Sequence, residues 1–191
     1  MRLFVLPASM ALSVLMAVGG YAWLAPGDEA HDRLAPSVTA RADPQAPDVA
    51  GAAPVDAAGW QALGRLRAAQ GRHAQAVVAF RNAARLRPDD ATLLTEYAFS
   101  AAVTTQRTSA DDPQPLVERA LRLDPNSTKA LALAGSLALD RSDYDAATQH
   151  WERLAQLVPP DSPQGREIHA SIAQTRRLAD VHAGRIELAR R

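Results

Sequence analysis

The stretch SDYDAATQHWERL, Ser142 to Leu154, brings Asp143, Tyr144, Asp145, His150, Trp151 and Glu152 into thirteen residues. Carboxylates beside an imidazole are the groups that move protons or hold metal ions, provided that they converge on one point. On a helix they do not converge here. His150 and Glu152 are two residues apart, roughly 200° around the axis, and cannot share a ligand. Asp143 stands where such a helix would begin, a position suited to capping and to the helix dipole. His73, His169 and His182 are isolated from one another, His31 lies in a polar stretch, and no HExxH spacing occurs. There is no phosphate-binding glycine loop and no G-x-S-x-G motif. The absence of cysteine removes disulfides, thiolate metal sites and haem attachment through CxxCH in this chain. No catalytic residue, metal site or cofactor is therefore expected, and an enzyme is not the expected class. With 21 basic and 21 acidic residues, no net field recruits nucleic acid. The pairs Arg176–Arg177 and Arg190–Arg191 are diluted by Asp180 and Glu187 and read as a solvated face.

What positions these residues is a repeat. From Trp60 the chain gives Trp60, Leu63, Gly64, then Ala76, Phe80, Ala83 and Pro88. This is the 34-residue tetratricopeptide (TPR) pattern, W-x2-L-G-x2-Y followed by A-x3-F and P, with Arg67 in the tyrosine slot. Pro125 and Pro159 stand 34 residues apart, and the same register places Leu131, Ala134, Gly135, Tyr144, Ala147, Trp151 and Leu154. The middle unit, from Pro88 to Pro125, spans 37 residues. Its first helix carries Leu94, Tyr97 and Ala98, its second Val117 and Ala120, and the extra length falls between them in TTQRTSADDPQP. Extra length in a connection costs little closure entropy. Asp56, Asp90 and Ser127 are the expected helix caps. After Pro160, Ser162 and Pro163 open one more helix, with Ile168, Ile172 and Leu178 as its apolar face. The expected fold is all-α: a right-handed TPR superhelix over 57–191, with repeats at about 57–90, 91–127 and 128–161, a capping helix at 162–180 and a tail.

The N-terminal flank has a different character. Leu3 to Gly27 contains no charge, which is long enough to cross a bilayer as a helix. Arg2 precedes the run and Asp28 and Glu29 follow it, so the positive-inside bias keeps the N-terminus cytoplasmic. Residues 1–25 are expected to be an uncleaved transmembrane anchor, since Trp23 and Pro26 make a poor cleavage site. Residues 26–56, with five prolines and few large apolar side chains, are expected to be a disordered linker.

In such an array the first helix of each pair lines a concave surface. Repeat positions 2, 5, 9, 12 and 13 would face it. They hold Gln61, Arg65 and Ala69, then Thr92, Thr95, Phe99 and Val103, then Lys129, Ser136 and Leu139. An exposed Phe99 beside Val103 and Leu139 would make an apolar groove for an amphipathic helix. The alternative is that the inserted loop or the next repeat covers Phe99. The asparagine and lysine pattern of chaperone carboxylate clamps is missing from these positions.

The strings GWQALGR at 59–65, YAFSAA at 97–102, LVERALRLDPNSTKALALAGSLALDRSDYDAATQHWERLAQLVPPDS at 116–162 and IHASIAQTR at 168–176 carry a closer likeness. Over about 57–180 the chain resembles the TPR subunit of bacterial cytochrome c maturation, the CcmI/CycH/NrfG-like family. The resemblance implies a protein anchored through residues 3–25 in the bacterial inner membrane, with its TPR domain in the periplasm. It implies binding of apocytochrome c, largely through the C-terminal helix, and presentation of the CxxCH site to the haem lyase membrane subunits. Two departures qualify the client. Long members carry a second membrane helix and a cytoplasmic segment before the TPR domain, neither of which is expected from residues 1–56, and the inserted loop lacks the expected glycines. The single anchor resembles the short, nitrite-reductase-dedicated branch. A general cell-envelope scaffold that assembles a membrane complex is the reading from another class.

Overall fold

The computed structural model describes residues 54, 56–104 and 111–184. The expected anchor at 1–25 lies outside the described residues, as does the 26–56 linker apart from 54 and 56. Among the described residues no helix is long and apolar enough to cross a membrane. They form seven helices: α1 (Ala57–Ala69), α2 (His73–Leu86), α3 (Ala91–Val103), α4 (Pro113–Leu123), α5 (Thr128–Asp140), α6 (Tyr144–Ala155) and α7 (Pro163–His182).

Local chemistry sets most of the starting points. Asp56, Asp90, Ser127 and Ser162 each accept from the amide three residues on, at 2.7, 2.9, 3.4 and 2.9 Å. Asp112 and Asp143 do the same work for α4 and α6, at 3.1 Å each. Every such bond satisfies an amide that the first helical turn leaves without a partner. The carboxylate of Asp143 is thereby occupied at a helix end.

The helices pair as α1–α2, α3–α4 and α5–α6, each hairpin stacks on the next, and α7 lies along α6. The result is an all-α TPR-like superhelix. Its apolar core is a chain of three clusters. Ala76, Val77, Phe80 and Ala83 of α2 meet Leu93, Tyr97 and Ala101 of α3. Leu94 and Ala98 of α3 join Val117 and Ala120 of α4 and Ala130, Leu133, Ala134 and Leu137 of α5. Leu131, Ala138 and Leu139 of α5 join Ala147, Trp151 and Leu154 of α6 with Ile168 and Ile172 of α7.

Inside each hairpin one small residue faces one large one. A Cβ on Gly64 would lie 2.6 Å from Cε1 of Phe80, and a Cβ on Gly135 would lie 2.6 Å from Cδ1 and Cε2 of Trp151. At the same register the middle hairpin has Ala98 with Val117, both in one cluster. A bulky residue on the second helix therefore goes with glycine on the first, and a smaller one leaves room for alanine.

The face of α7 departs from expectation at one position. Its buried stripe runs Gly165, Ile168, Ile172 and Thr175, while Leu178 is 36% exposed. Leu178 comes six residues after Ile172, about 240° around the axis, and so falls off the stripe. Thr175 takes the buried place and donates its hydroxyl to the Ser171 carbonyl at 2.8 Å.

Candidate peptide-binding groove

The first helices of the three hairpins, α1, α3 and α5, run side by side and contact one another in sequence. The candidate groove residues on them fall into three kinds. Arg65 and Thr92 are exposed, and Phe99, Val103, Lys129 and Ser136 are half-buried. Gln61, Thr95 and Leu139 are buried. Thr95 turns its hydroxyl back to the Ala91 carbonyl at 2.8 Å, and Ser136 does so to Ala132 at 3.1 Å. Leu139 packs with Trp151 and Ile168 in the third cluster. Phe99 takes a middle course: it rests on the second cluster and meets the His73 ring edge-on, with centroids 6.3 Å apart. Burial holds the His73 imidazole below its ordinary range, so the ring beside Phe99 is neutral near pH 7.

The structure ties two of these residues together through Glu96, which the repeat pattern does not single out. Gln61 Nε2 donates to Glu96 Oε2 at 2.9 Å, and Arg65 Nε donates to Glu96 Oε1 at 2.8 Å. On its other side, Gln61 Oε1 accepts from Arg87 Nη2 at 2.5 Å, and Arg87 also pairs with Asp90 at 3.2 Å. This network crosses from α1 to α3 and fixes how the first two hairpins meet on the groove side. The signal in the sequence was slight: Glu96 is the one charged residue of ATLLTEYAFSAAV.

A second polar cluster holds the inserted connection of the middle repeat. Asp111, only 1% exposed, accepts from Arg81 Nη2 at 2.7 and 2.6 Å on its two oxygens and from Arg81 Nε at 3.0 Å. The Tyr97 hydroxyl donates to the same carboxylate at 2.5 Å. Asp111, the residue before the α4 cap Asp112, is thus clasped to α2 and α3. Burial first, and then the bond to Asp111, pushes the Tyr97 phenol up to about 12.

The stretch 142–154 dissolves into separate duties. Asp143 caps α6 and Trp151 is core. Tyr144 meets His182 edge-on at 5.6 Å, and Glu152 pairs with Arg176 at 2.5 Å, both joining α6 to α7. Burial and then the charge of Arg153 hold His150 below the ordinary histidine range. Among the described residues no three His, Asp or Glu side chains could hold one metal ion.

The profile of the family described as the cytochrome c-type biogenesis protein H TPR domain matches residues 51–165, which include all of α1 to α6. The chain belongs to this family. Among individual relatives, a cytochrome c-type biogenesis protein CycH from Pseudomonas aeruginosa is 31% identical over 125 residues, covering 65% of this chain and 31% of that protein. A formate-dependent nitrite reductase complex subunit, NrfG, from Escherichia coli is 27% identical over 101 residues, covering 53% of this chain and 51% of the relative. The matched part of the chain thus spans about a third and about half of those proteins' lengths. Among solved structures, the TPR domain of Sgt2 from Aspergillus fumigatus superposes with a TM-score of 0.57 at 18% identity, over 71% of this chain and 87% of that domain. That likeness concerns the fold alone. As a member of the cytochrome c-type biogenesis H family, the chain is a non-catalytic TPR protein linked to the bacterial, membrane-associated machinery of cytochrome c biogenesis.

Proposed function

We propose that the chain captures an apocytochrome c polypeptide, by its C-terminal helix, on the face formed by α1, α3 and α5, and presents it to the haem lyase complex. Residues 1–25 anchor it in the inner membrane in this reading, with the TPR domain in the periplasm. The observation that carries the proposal is the family match, because the matched span 51–165 contains the three helices of that face. Capture is by a helix laid into a groove, so a few apolar anchors supply most of the affinity. Phe99 is the aromatic anchor, half-buried and therefore partly desolvated before a client arrives. Val103 extends the apolar strip along α3, while Arg65, Thr92 and Ser136 supply its polar margin.

Haem staining of c-type cytochromes in a strain deleted for the gene tests this role. Deletion removes the stained bands, the wild-type chain restores them, and Phe99→Ala restores them poorly while its thermal midpoint falls by only a few degrees. Normal haem staining in the deletion strain would favour a general envelope scaffold instead.

A further inference from the structure

The two ends of the superhelix differ. At the far end the exposed side of α7 is largely polar, with Arg166, Glu167, His169, Gln174 and Arg177 among its residues. An end of a repeat array that faces water is ordinarily closed in this way. At the near end, Ala62, Leu66 and Ala69 of α1 are exposed, and Leu66 keeps 54% of its surface in water. The register shows what this side of the helix is built to meet. Gly64 matches Gly135, so Ala62 and Leu66 match Leu133 and Leu137 of α5. Those two leucines are buried with Leu94, Ala98, Val117 and Ala120 of the hairpin before them. On α3 the match to Leu66 is Ser100, which is buried as well. Among the described residues no hairpin precedes α1.

Part of this side is already covered. Gly59, Ala62, Leu66 and Ala69 are spaced three, four and three residues apart and so share one side of α1. A Cβ on Gly59 would lie 2.9 Å from Pro54 Cβ, so the chain entering α1 lies over the first of these positions. We infer that residues 49–53, the run VAGAA, continue from Pro54 along α1 and cover Ala62, Leu66 and Ala69, in the place that a preceding hairpin would take. The lengths agree: Gly59 to Ala69 is about 15 Å of helix, and five extended residues span about 17 Å. The chemistry agrees as well, because VAGAA carries no charge and its side chains are small enough for its backbone to lie close to a helix. The family match begins at residue 51, inside this segment and ahead of α1. A second copy of the chain is the other apolar occupant within reach, but Pro54 holds one end of the face against it. With 49–53 in place, the preceding chain leaves the domain at the Ala69 end of α1 instead of at Asp56.

The test uses the full chain in mild detergent. The chain has no cysteine, so an introduced pair reports on itself alone. Ala52→Cys with Leu66→Cys should form a disulfide within one chain about tenfold faster than Ala52→Cys with Leu86→Cys. Leu86 is the fitting control: it is also 54% exposed, but its matches Leu123 and Leu157 are exposed too, so it does not owe its exposure to the open end. Equal rates for the two pairs would mean that the segment does not settle on α1, and the inference would fall. Leu66→Cys alone should give no disulfide between chains, and a rapid one would assign the face to a second copy and overturn the inference. Elastase, which cuts after small residues, gives a reading without cysteines. Leu66→Asp should speed cleavage within 49–53 about tenfold, leave cleavage at Val38 and Ala40 unchanged, and keep the thermal midpoint within a few degrees. Cleavage within 49–53 of the wild-type chain as fast as at Val38 and Ala40 would equally overturn the inference.

Discussion

Trp151→Val should destabilise the domain by about 3 kcal/mol and Gly135→Ala by about 1–3 kcal/mol, yet the two together should cost much less than their sum. Trp151 is 3% exposed, and truncating it leaves a cavity between α5 and α6. Gly135→Ala fails for the opposite reason. The new methyl would sit 2.6 Å from two indole carbons, and a buried ring held by α7 on its other side has nowhere to move. Alanine's better helix propensity, about 1 kcal/mol, offsets only part of that collision. The double variant reproduces the Ala98–Val117 pair that the middle hairpin already uses. Urea unfolding of the four chains gives the coupling energy. Additive losses would show that the glycine and the indole do not compete for one space.

Asp111→Asn should be the most damaging polar substitution, at about 3 kcal/mol. It removes the charge that faces the Arg81 guanidinium and leaves a buried amide where four hydrogen bonds converge on a carboxylate. Arg81 is 35% exposed and regains some water, which keeps the loss at the lower end for a broken buried pair. The same cluster gives the domain an alkaline limit. The Tyr97 phenol is raised to about 12, whereas in the unfolded chain it titrates near its ordinary value of 10.0. Between those values the unfolded state has lost a proton that the folded state keeps. The stabilisation is therefore complete below about pH 10 and is lost as pH rises towards 12. Thermal melts across this window should show a midpoint that falls with pH in the wild-type chain and falls less in Tyr97→Phe.

The 34-residue period made the packing legible, because it fixes which residues of each helix face the core. Trp151, Ala147 and Phe80 follow from it, and the caps at Asp56, Asp90, Ser127 and Ser162 follow from local backbone chemistry alone. Partner choice across the groove was not legible in the same way. Gln61 and Arg65 sit at concave positions, but their bonds to Glu96 depend on the crossing of α1 and α3, more than thirty residues apart in sequence. Asp111 was hidden because it lies in the lengthened connection of the middle repeat, where the period does not set the register. The buried threonines misled for a simpler reason: Thr95 and Thr175 satisfy their hydroxyls within their own helices and so can stand where an apolar side chain would.

Calorimetric titration of the full chain with peptides from apocytochrome c C-termini tests the central claim most directly. The groove account predicts saturable binding of one peptide per chain, with a negative heat-capacity change as apolar surface around Phe99 is covered. Absence of heat and of saturation with several such peptides, in a chain whose helices α1 to α7 are shown to be folded, would contradict it.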